Sequence, residues 1–291
     1  MRAPFYSSCP ICTDSGFSPV VEFPELTFVR CLGCGLVYKR EQVPGLGGGY
    51  EEGYFRDGRA KYLERWEHRV RKCERQLLMC LEFAPHARDV LDVGCSAGYV
   101  LEAAKRLGMT PAGADVSGFA VELCRERGFR AEKGGLEKLP YPDASFDIVT
   151  CKHALEHAAH PVEAMRELAR VLRPGGVAFV IVPDGAYYKM AVMPKRGRSF
   201  RPDSRGWQHH VYFYEKNLAE AAMKVGLEAT RAGKDIFRTR LARGAKAPWE
   251  WARFAFLVSW VWVCRVTRFR REIQLIATKP RALPERTQQA A

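Results

Sequence analysis

The chain has no hydrophobic run long enough to cross a bilayer. Even the tryptophan-rich stretch 249–264 holds only 11 consecutive uncharged residues, Phe254–Cys264, where a spanning helix needs roughly 20. The expectation there is an interfacial or core helix, packed on lipid, on the sheet or on a second copy in a homodimer. The N-terminal MRAPFYSSCP lacks the apolar segment of a secretory signal. A cytoplasmic protein is therefore expected, with any membrane contact peripheral and at the inner face. Acidic residues are the scarcer charge: 33 Asp and Glu stand against 46 Lys and Arg, a net +13. Arginine clusters at 194–205, 238–246 and 265–271 attract nucleic acid, anionic lipid or a phosphorylated substrate alike, or form a solvated surface.

The ten cysteines do not read as a disulfide framework. Six are scattered through helix and strand patterns, which suits a reducing compartment. The other four stand in CPIC and CLGC, Cys9, Cys12, Cys31 and Cys34, with spacings of two, eighteen and two residues. Zn2+ has no geometric preference of its own and takes four soft thiolates in a tetrahedron, two from each C-x-x-C turn. A zinc ribbon is expected; two disulfides or four buried thiols are the rivals.

Beyond a glycine-rich joint, PGLGGGYEEGYF at 44–55, the pattern reads helical from Lys61 to Phe83. Strand and helix signals then alternate: strands at 89–93, 110–116, 146–151 and 177–182, a short one within 128–133, and helices at 99–108, 117–127 and 161–172. The strands are continuously apolar, as parallel strands covered on both faces must be. A helix at 215–226 and strands at 228–237 and 272–278 follow, the last two expected as an antiparallel pair at the sheet edge. The fold class is α/β, a doubly wound, mostly parallel sheet preceded by a ribbon. The expected units are the ribbon at 1–43, a joint and helix at 44–86, an α/β domain at 87–280 and a flexible tail at 281–291.

The first strand ends in LDVGCSAG. Gly94 and Gly98 admit close approach of a ligand to backbone, and the next helix offers free amides. A G-x-G-x-x-G fingerprint is missing because Ser96 stands where a glycine is needed, which disfavours a nicotinamide cofactor. Asp115 lies 21 residues beyond Gly94, at the tip of the second strand, where a carboxylate can accept from two vicinal ribose hydroxyls. Together with ADVSGFAVELC, LEKLPYPDASFDIVTCKHALEH and RELARVLRPGGVAFVIVP, this loop resembles the class I S-adenosylmethionine-dependent methyltransferases over about residues 50–182. HHVYFYEKNLAEAAMKVGL and the cysteine-rich N-terminus resemble their small-molecule branch.

The resemblance implies a seven-stranded sheet and S-adenosylmethionine as cofactor. Asp92 would orient the methionine amino group, with a purely structural anchor as rival. Gly94, Cys95 and Gly98 would form the loop, Asp115 would hold the ribose, and Val116 would lie against adenine. Asp115 as a helix cap is the rival there, and Cys95 reads equally as a small wall residue. The family's acidic residue four positions before the Leu139-Pro140 turn is Gly135 here, so adenine recognition falls to backbone near Leu136 or to Glu137. Tyr54 either closes over the cofactor or packs the joint.

A sulfonium methyl is already electrophilic, so the site needs an in-line nucleophile and a base. His153, His209 and His210 are the candidate catalytic groups, with His157 a candidate loop anchor. The expected activity is methyl transfer to oxygen, nitrogen or carbon of a small or lipid-linked metabolite. RNA methylation is the second reading, disfavoured because CKHALEH replaces the Asn/Asp-Pro-Pro-aromatic run of base-amino methylation. A noncatalytic partner-binding protein with the ribbon as docking surface is the third.

Overall fold

A computed structural model describes residues 6–22, 27–41, 65–185, 209–233 and 272–281. Tyr54, the glycine-rich joint, the arginine clusters, the stretch 249–264 and the tail from 282 onward lie outside the described residues. Among the described residues no helix is long and apolar enough to cross a membrane.

The larger sheet has seven strands in the order β10-β11-β8-β7-β4-β5-β6. These are β4 (Asp89–Val93), β5 (Thr110–Asp115), β6 (Arg130–Lys133), β7 (Phe146–Lys152), β8 (Leu172–Pro183), β10 (Glu228–Gly233) and β11 (Glu272–Thr278). β4 to β8 run parallel; β11 pairs antiparallel with both β8 and β10. The last two strands are thus an antiparallel pair, but only β10 is an edge, because β11 inserts between it and β8.

Side chains alternate between the faces of a strand, and both faces here are apolar. Val90, Ile148 and Phe179 pack with Val70, Leu77, Val100 and Ala104 of α1 (Trp66–Leu81) and α2 (Tyr99–Arg106). Leu91, Val149 and Val180 pack with Met165, Leu168 and Leu218 of α4 (Pro161–Val171) and α5 (Glu215–Met223). Burial of each such side chain contributes about 1.5–3 kcal/mol. α3 (Gly118–Glu126) starts where the Ser117 hydroxyl accepts from the Ala120 amide, and Pro161 opens α4 at a position where its missing N–H costs nothing.

The second sheet is built from β1 (Phe17–Glu22), β2 (Thr27–Cys31), β3 (Val37–Lys39) and β9 (Val211–Tyr212), all antiparallel in that order. Its fourth strand therefore comes from the far end of the sequence. Ribbon and larger sheet also share a core: Tyr6, Ile11, Leu36 and Tyr38 pack in the same cluster as Leu155, Phe213 and Leu218. The Tyr6 hydroxyl donates to the Ala159 carbonyl at 2.6 Å, and Asn217 Nδ2 donates to the Cys34 carbonyl at 3.1 Å.

Candidate functional site

The parallel strands end along one edge, and the loop after β4 turns back on itself there. Gly94 and Cys95 donate to the Ala114 carbonyl at 2.8 and 3.1 Å. Gly94 has φ +78°, and an added Cβ would lie 3.0 Å from the Ala154 methyl, so a side chain there meets both a disfavoured backbone conformation and a wall. Ser96 also has positive φ, at 48°. The Asp115 carboxylate holds this loop, Oδ2 accepting from the Ser96 amide and Oδ1 from the Ser117 amide, both at 2.9 Å. A carboxylate has about four acceptor positions, so these two bonds leave capacity for a ligand hydroxyl. Burial pushes the Asp115 pKa upward, against the pull of these amides.

Around this cradle the expected residues divide. Val116 is 53 % exposed, free to cover a flat ring. Cys95 turns inward: its Sγ lies 3.8 Å from Cys124 Sγ, and a Cβ at Gly113 would fall 2.8 Å from it. Its side chain is a wall and only its backbone belongs to the loop. Asp92, 4 % exposed, accepts from the Thr150 hydroxyl on β7, and burial pushes its pKa to about 7. Leu136 packs partly against the core. Glu137 Oε1 accepts from the His160 amide at 3.0 Å, at the start of α4.

Next along the edge, β7 runs into a 3-10 turn, Leu155–His157. His153 has φ +54°, strain of the kind that persists where surrounding structure fixes it. Its side chain is 45 % exposed, with Nε2 3.2 Å from Glu272 and Nδ1 3.8 Å from Glu156. Glu156 is the group that the sequence reading passed over. Its carboxylate is buried with no hydrogen-bond partner on either oxygen, and burial pushes its pKa to about 7. His157 Nε2 and His209 Nε2 each lie 3.9 Å from it. Glu156, His157 and His209 present ligand atoms within 4.8 Å of one another, within reach of a single metal ion. His209 and His210 are held by the ribbon seam: the His210 amide donates to the Glu156 carbonyl and its carbonyl accepts from the Lys39 amide. Burial and neighbouring cationic groups push His209 down to about 2 and His210 to about 4, so both stay neutral near pH 7 and accept a proton poorly.

The raised Glu156 pKa has a testable consequence. Between about 4.5 and about 7 the folded chain keeps a proton there that the unfolded chain has lost, so stability falls as pH rises through this window. Glu156→Gln removes the effect. It is expected to raise Tm by about 5 °C at about pH 8, from roughly 2–3 kcal/mol, and to change it little at about pH 5; thermal unfolding at the two pH values checks this. A lower Tm at the higher pH would instead mark a bound cation that needs the carboxylate.

The four ribbon thiols converge. Cys9 Sγ lies 3.6 Å from Cys34 Sγ, and Cys12 Sγ 3.3 Å from Cys31 Sγ; all four atoms lie within 4.8 Å of one another and none is in a disulfide. The edge of a tetrahedron with Zn–S of about 2.3 Å is about 3.8 Å, so the set fits a tetrahedrally bound metal.

Comparison with known proteins agrees with this geometry. A family model described as a methyltransferase domain matches residues 91–180. A protein of Mycolicibacterium smegmatis named as a probable S-adenosylmethionine-dependent methyltransferase is 32% identical over 182 residues, covering 56% of this chain and 67% of the relative. The ubiquinone biosynthesis O-methyltransferase of Thiobacillus denitrificans is 30% identical over 160 residues, 48% of this chain and 65% of the relative. That of Paracidovorax citrulli is 30% identical over 130 residues, 37% and 53%. The chain spans about half to two thirds of the length of these relatives. A solved S-adenosylmethionine-dependent methyltransferase of Thermotoga maritima superposes with a TM-score of 0.50 at 21% identity, over 78% of this chain and 99% of that one, a likeness of fold.

Proposed function

On the premise that the chain belongs to the class I S-adenosylmethionine-dependent methyltransferases, we propose that it methylates a small or lipid-linked metabolite, on oxygen in the first instance. The observation that carries this reading is a single sheet edge bearing both parts: the Asp115-held loop after β4, and the strained His153 at the neighbouring end of β7. The curated relatives named for O-methylation in ubiquinone biosynthesis favour oxygen. Asp115 and the Gly94–Gly98 loop would hold S-adenosylmethionine, which supplies an electrophilic methyl group. Adenine would rest on Val116 and meet backbone near Leu136, since the Glu137 carboxylate is engaged at α4.

His153 is the base of this proposal. Of the three candidate histidines it is the exposed one, and the carboxylates of Glu272 and Glu156 flank its two nitrogens. It would take the proton of the acceptor hydroxyl, while bound S-adenosylmethionine would supply the methyl group and keep the electron pair of the carbon–sulfur bond. Neutral His209 and His210 serve as hydrogen-bonding walls. The ribbon metal is zinc in this reading, and its four filled positions leave it no part in the transfer.

His153→Asn is expected to lower turnover about 100- to 10,000-fold while S-adenosylmethionine affinity stays within about threefold. A metabolite screen with radiolabelled methyl donor identifies the acceptor; equilibrium titration and single-turnover rates then compare the variant. Undiminished turnover would remove His153 from the reaction.

A further inference from the structure

Three imidazoles converge on one oxygen of Glu156. His153 Nδ1 lies 3.8 Å from Oε1, and His157 Nε2 and His209 Nε2 each lie 3.9 Å from it. These separations are too long for hydrogen bonds, and neither carboxylate oxygen has a hydrogen-bond partner although Glu156 is only 1 % exposed. A carboxylate so placed is costly unless a cation or a set of donors meets it. The rings of His157 and His209 stand edge to face, with centroids 4.7 Å apart. One nitrogen of each and a carboxylate oxygen of Glu156 lie within 4.8 Å of one another. Nitrogen and oxygen ligands at about 2.0–2.2 Å from an ion stand about 3.0–3.5 Å apart around it, so side-chain movements of about an ångström or less close the set. Glu156 and His157 belong to the turn that follows β7, and His209 stands at the entrance to β9. The two segments already meet where the His210 amide donates to the Glu156 carbonyl at 2.8 Å.

We propose that Glu156, His157 and His209 hold a divalent first-row transition ion, separate from the ribbon metal, that ties the turn after β7 to the start of β9. Two imidazoles and a carboxylate suit Zn2+, Fe2+ or Co2+ and select against Mg2+ and Ca2+, which favour oxygen shells. The cation compensates the buried carboxylate, and water completes the shell that three protein ligands leave open. Because β9 pairs with β3, the ion also fastens the ribbon sheet to the edge of the larger one. The gain in Tm expected of Glu156→Gln belongs to protein that carries the ribbon metal alone; with this second ion bound, the same substitution lowers Tm. The site is independent of what the chain methylates.

The test uses the full chain, stripped and reloaded with a single equivalent of Zn2+, which the four thiolates take first, and then titrated with Co2+ near neutral pH. Metal analysis is expected to find one Co2+ per chain beside the zinc. Its visible spectrum is expected to show the d–d bands of nitrogen and oxygen ligation without the thiolate-to-cobalt charge-transfer band that entry into the ribbon would give. Co2+ at about 100 times its Kd is expected to raise Tm by about 5 °C, and excess Mg2+ is expected to leave it in place. Glu156→Gln and His157→Ala are each expected to weaken Co2+ binding more than about 100-fold, beyond what loss of an outer partner costs, while His210→Ala keeps it within about tenfold. His157 is the less buried of the ligands, so its variant decides if Glu156→Gln does not fold. Co2+ binding that survives both substitutions, a thiolate band in place of the d–d bands, displacement by Mg2+, or no binding beyond the zinc overturns the site.

Discussion

Asp115→Ala is expected to weaken S-adenosylmethionine binding by about 100- to 10,000-fold in equilibrium titration. Charge-assisted hydrogen bonds contribute about 1.5–3 kcal/mol each; losing two to the sugar hydroxyls gives about 3–6 kcal/mol, at a factor of ten per 1.4 kcal/mol. The same substitution releases the Ser96 and Ser117 amides that the carboxylate holds at 2.9 Å, and Ser96 is already at positive φ. Asp115→Asn is expected to lower both affinity and loop order. Its amide keeps one acceptor oxygen and turns a donor toward the other amide, so loop order falls along with affinity, and slowed amide exchange at Ser96 is lost. Val116→Ala, which touches only the exposed wall, is expected to cost far less. Affinity within threefold of wild type in Asp115→Ala would place the ribose elsewhere and take the cofactor assignment with it.

The reading of this edge from sequence succeeded where chemistry is local. β4 and β11 occupy the expected residues end to end, because each is rich in β-branched and aliphatic residues and closes on a turn former, Gly94 or Pro280. It stopped where function depends on contacts between distant segments. β9 is two residues long and exists because β3, more than 170 positions earlier, offers it an edge; no periodicity can announce that. The burial of His209 and His210 follows from the same pairing, which is why two histidines expected to face the acceptor as bases are held neutral at the seam. Glu156 was legible in part: a carboxylate between Leu155 and His157 in an otherwise apolar and histidine-rich run asks what satisfies it. Its isolation appears only once the ribbon closes over it. Glu137 shows the opposite limit, a residue expected near adenine by its position, one of whose carboxylate oxygens accepts from the amide of His160, the residue that caps α4.

Removal of the metal proposed for the ribbon, by chelation or by Cys31→Ser, is expected to lower turnover about 100-fold with S-adenosylmethionine affinity held within about threefold. Four thiolates 3.3 Å to 4.8 Å apart repel one another unless a cation lies among them. Binding of a structural zinc in small ribbons is worth about 10–16 kcal/mol, most of it folding free energy. Without it the turns that carry Cys9 and Cys31 lose their anchor, and the packing of Leu36 and Tyr38 that joins the ribbon to the larger sheet loosens. β9 then loses its partner strand and Asn217 loses the Cys34 carbonyl. The consequence travels a short, traceable route: His210 is released from Lys39, and Glu156 loses the backbone contact that His210 makes with it. Asp115 and the Gly94 loop belong to β4 and β5 and make no hydrogen bond to the ribbon among the described residues. Metal content, turnover and cofactor affinity on one preparation check the split, and amide exchange locates it. Val211 and Tyr212 should exchange faster while Leu91 and Ala112 stay protected. Full turnover in metal-free protein would mean that β9 holds its place without β3, and that methyl transfer does not depend on the ribbon.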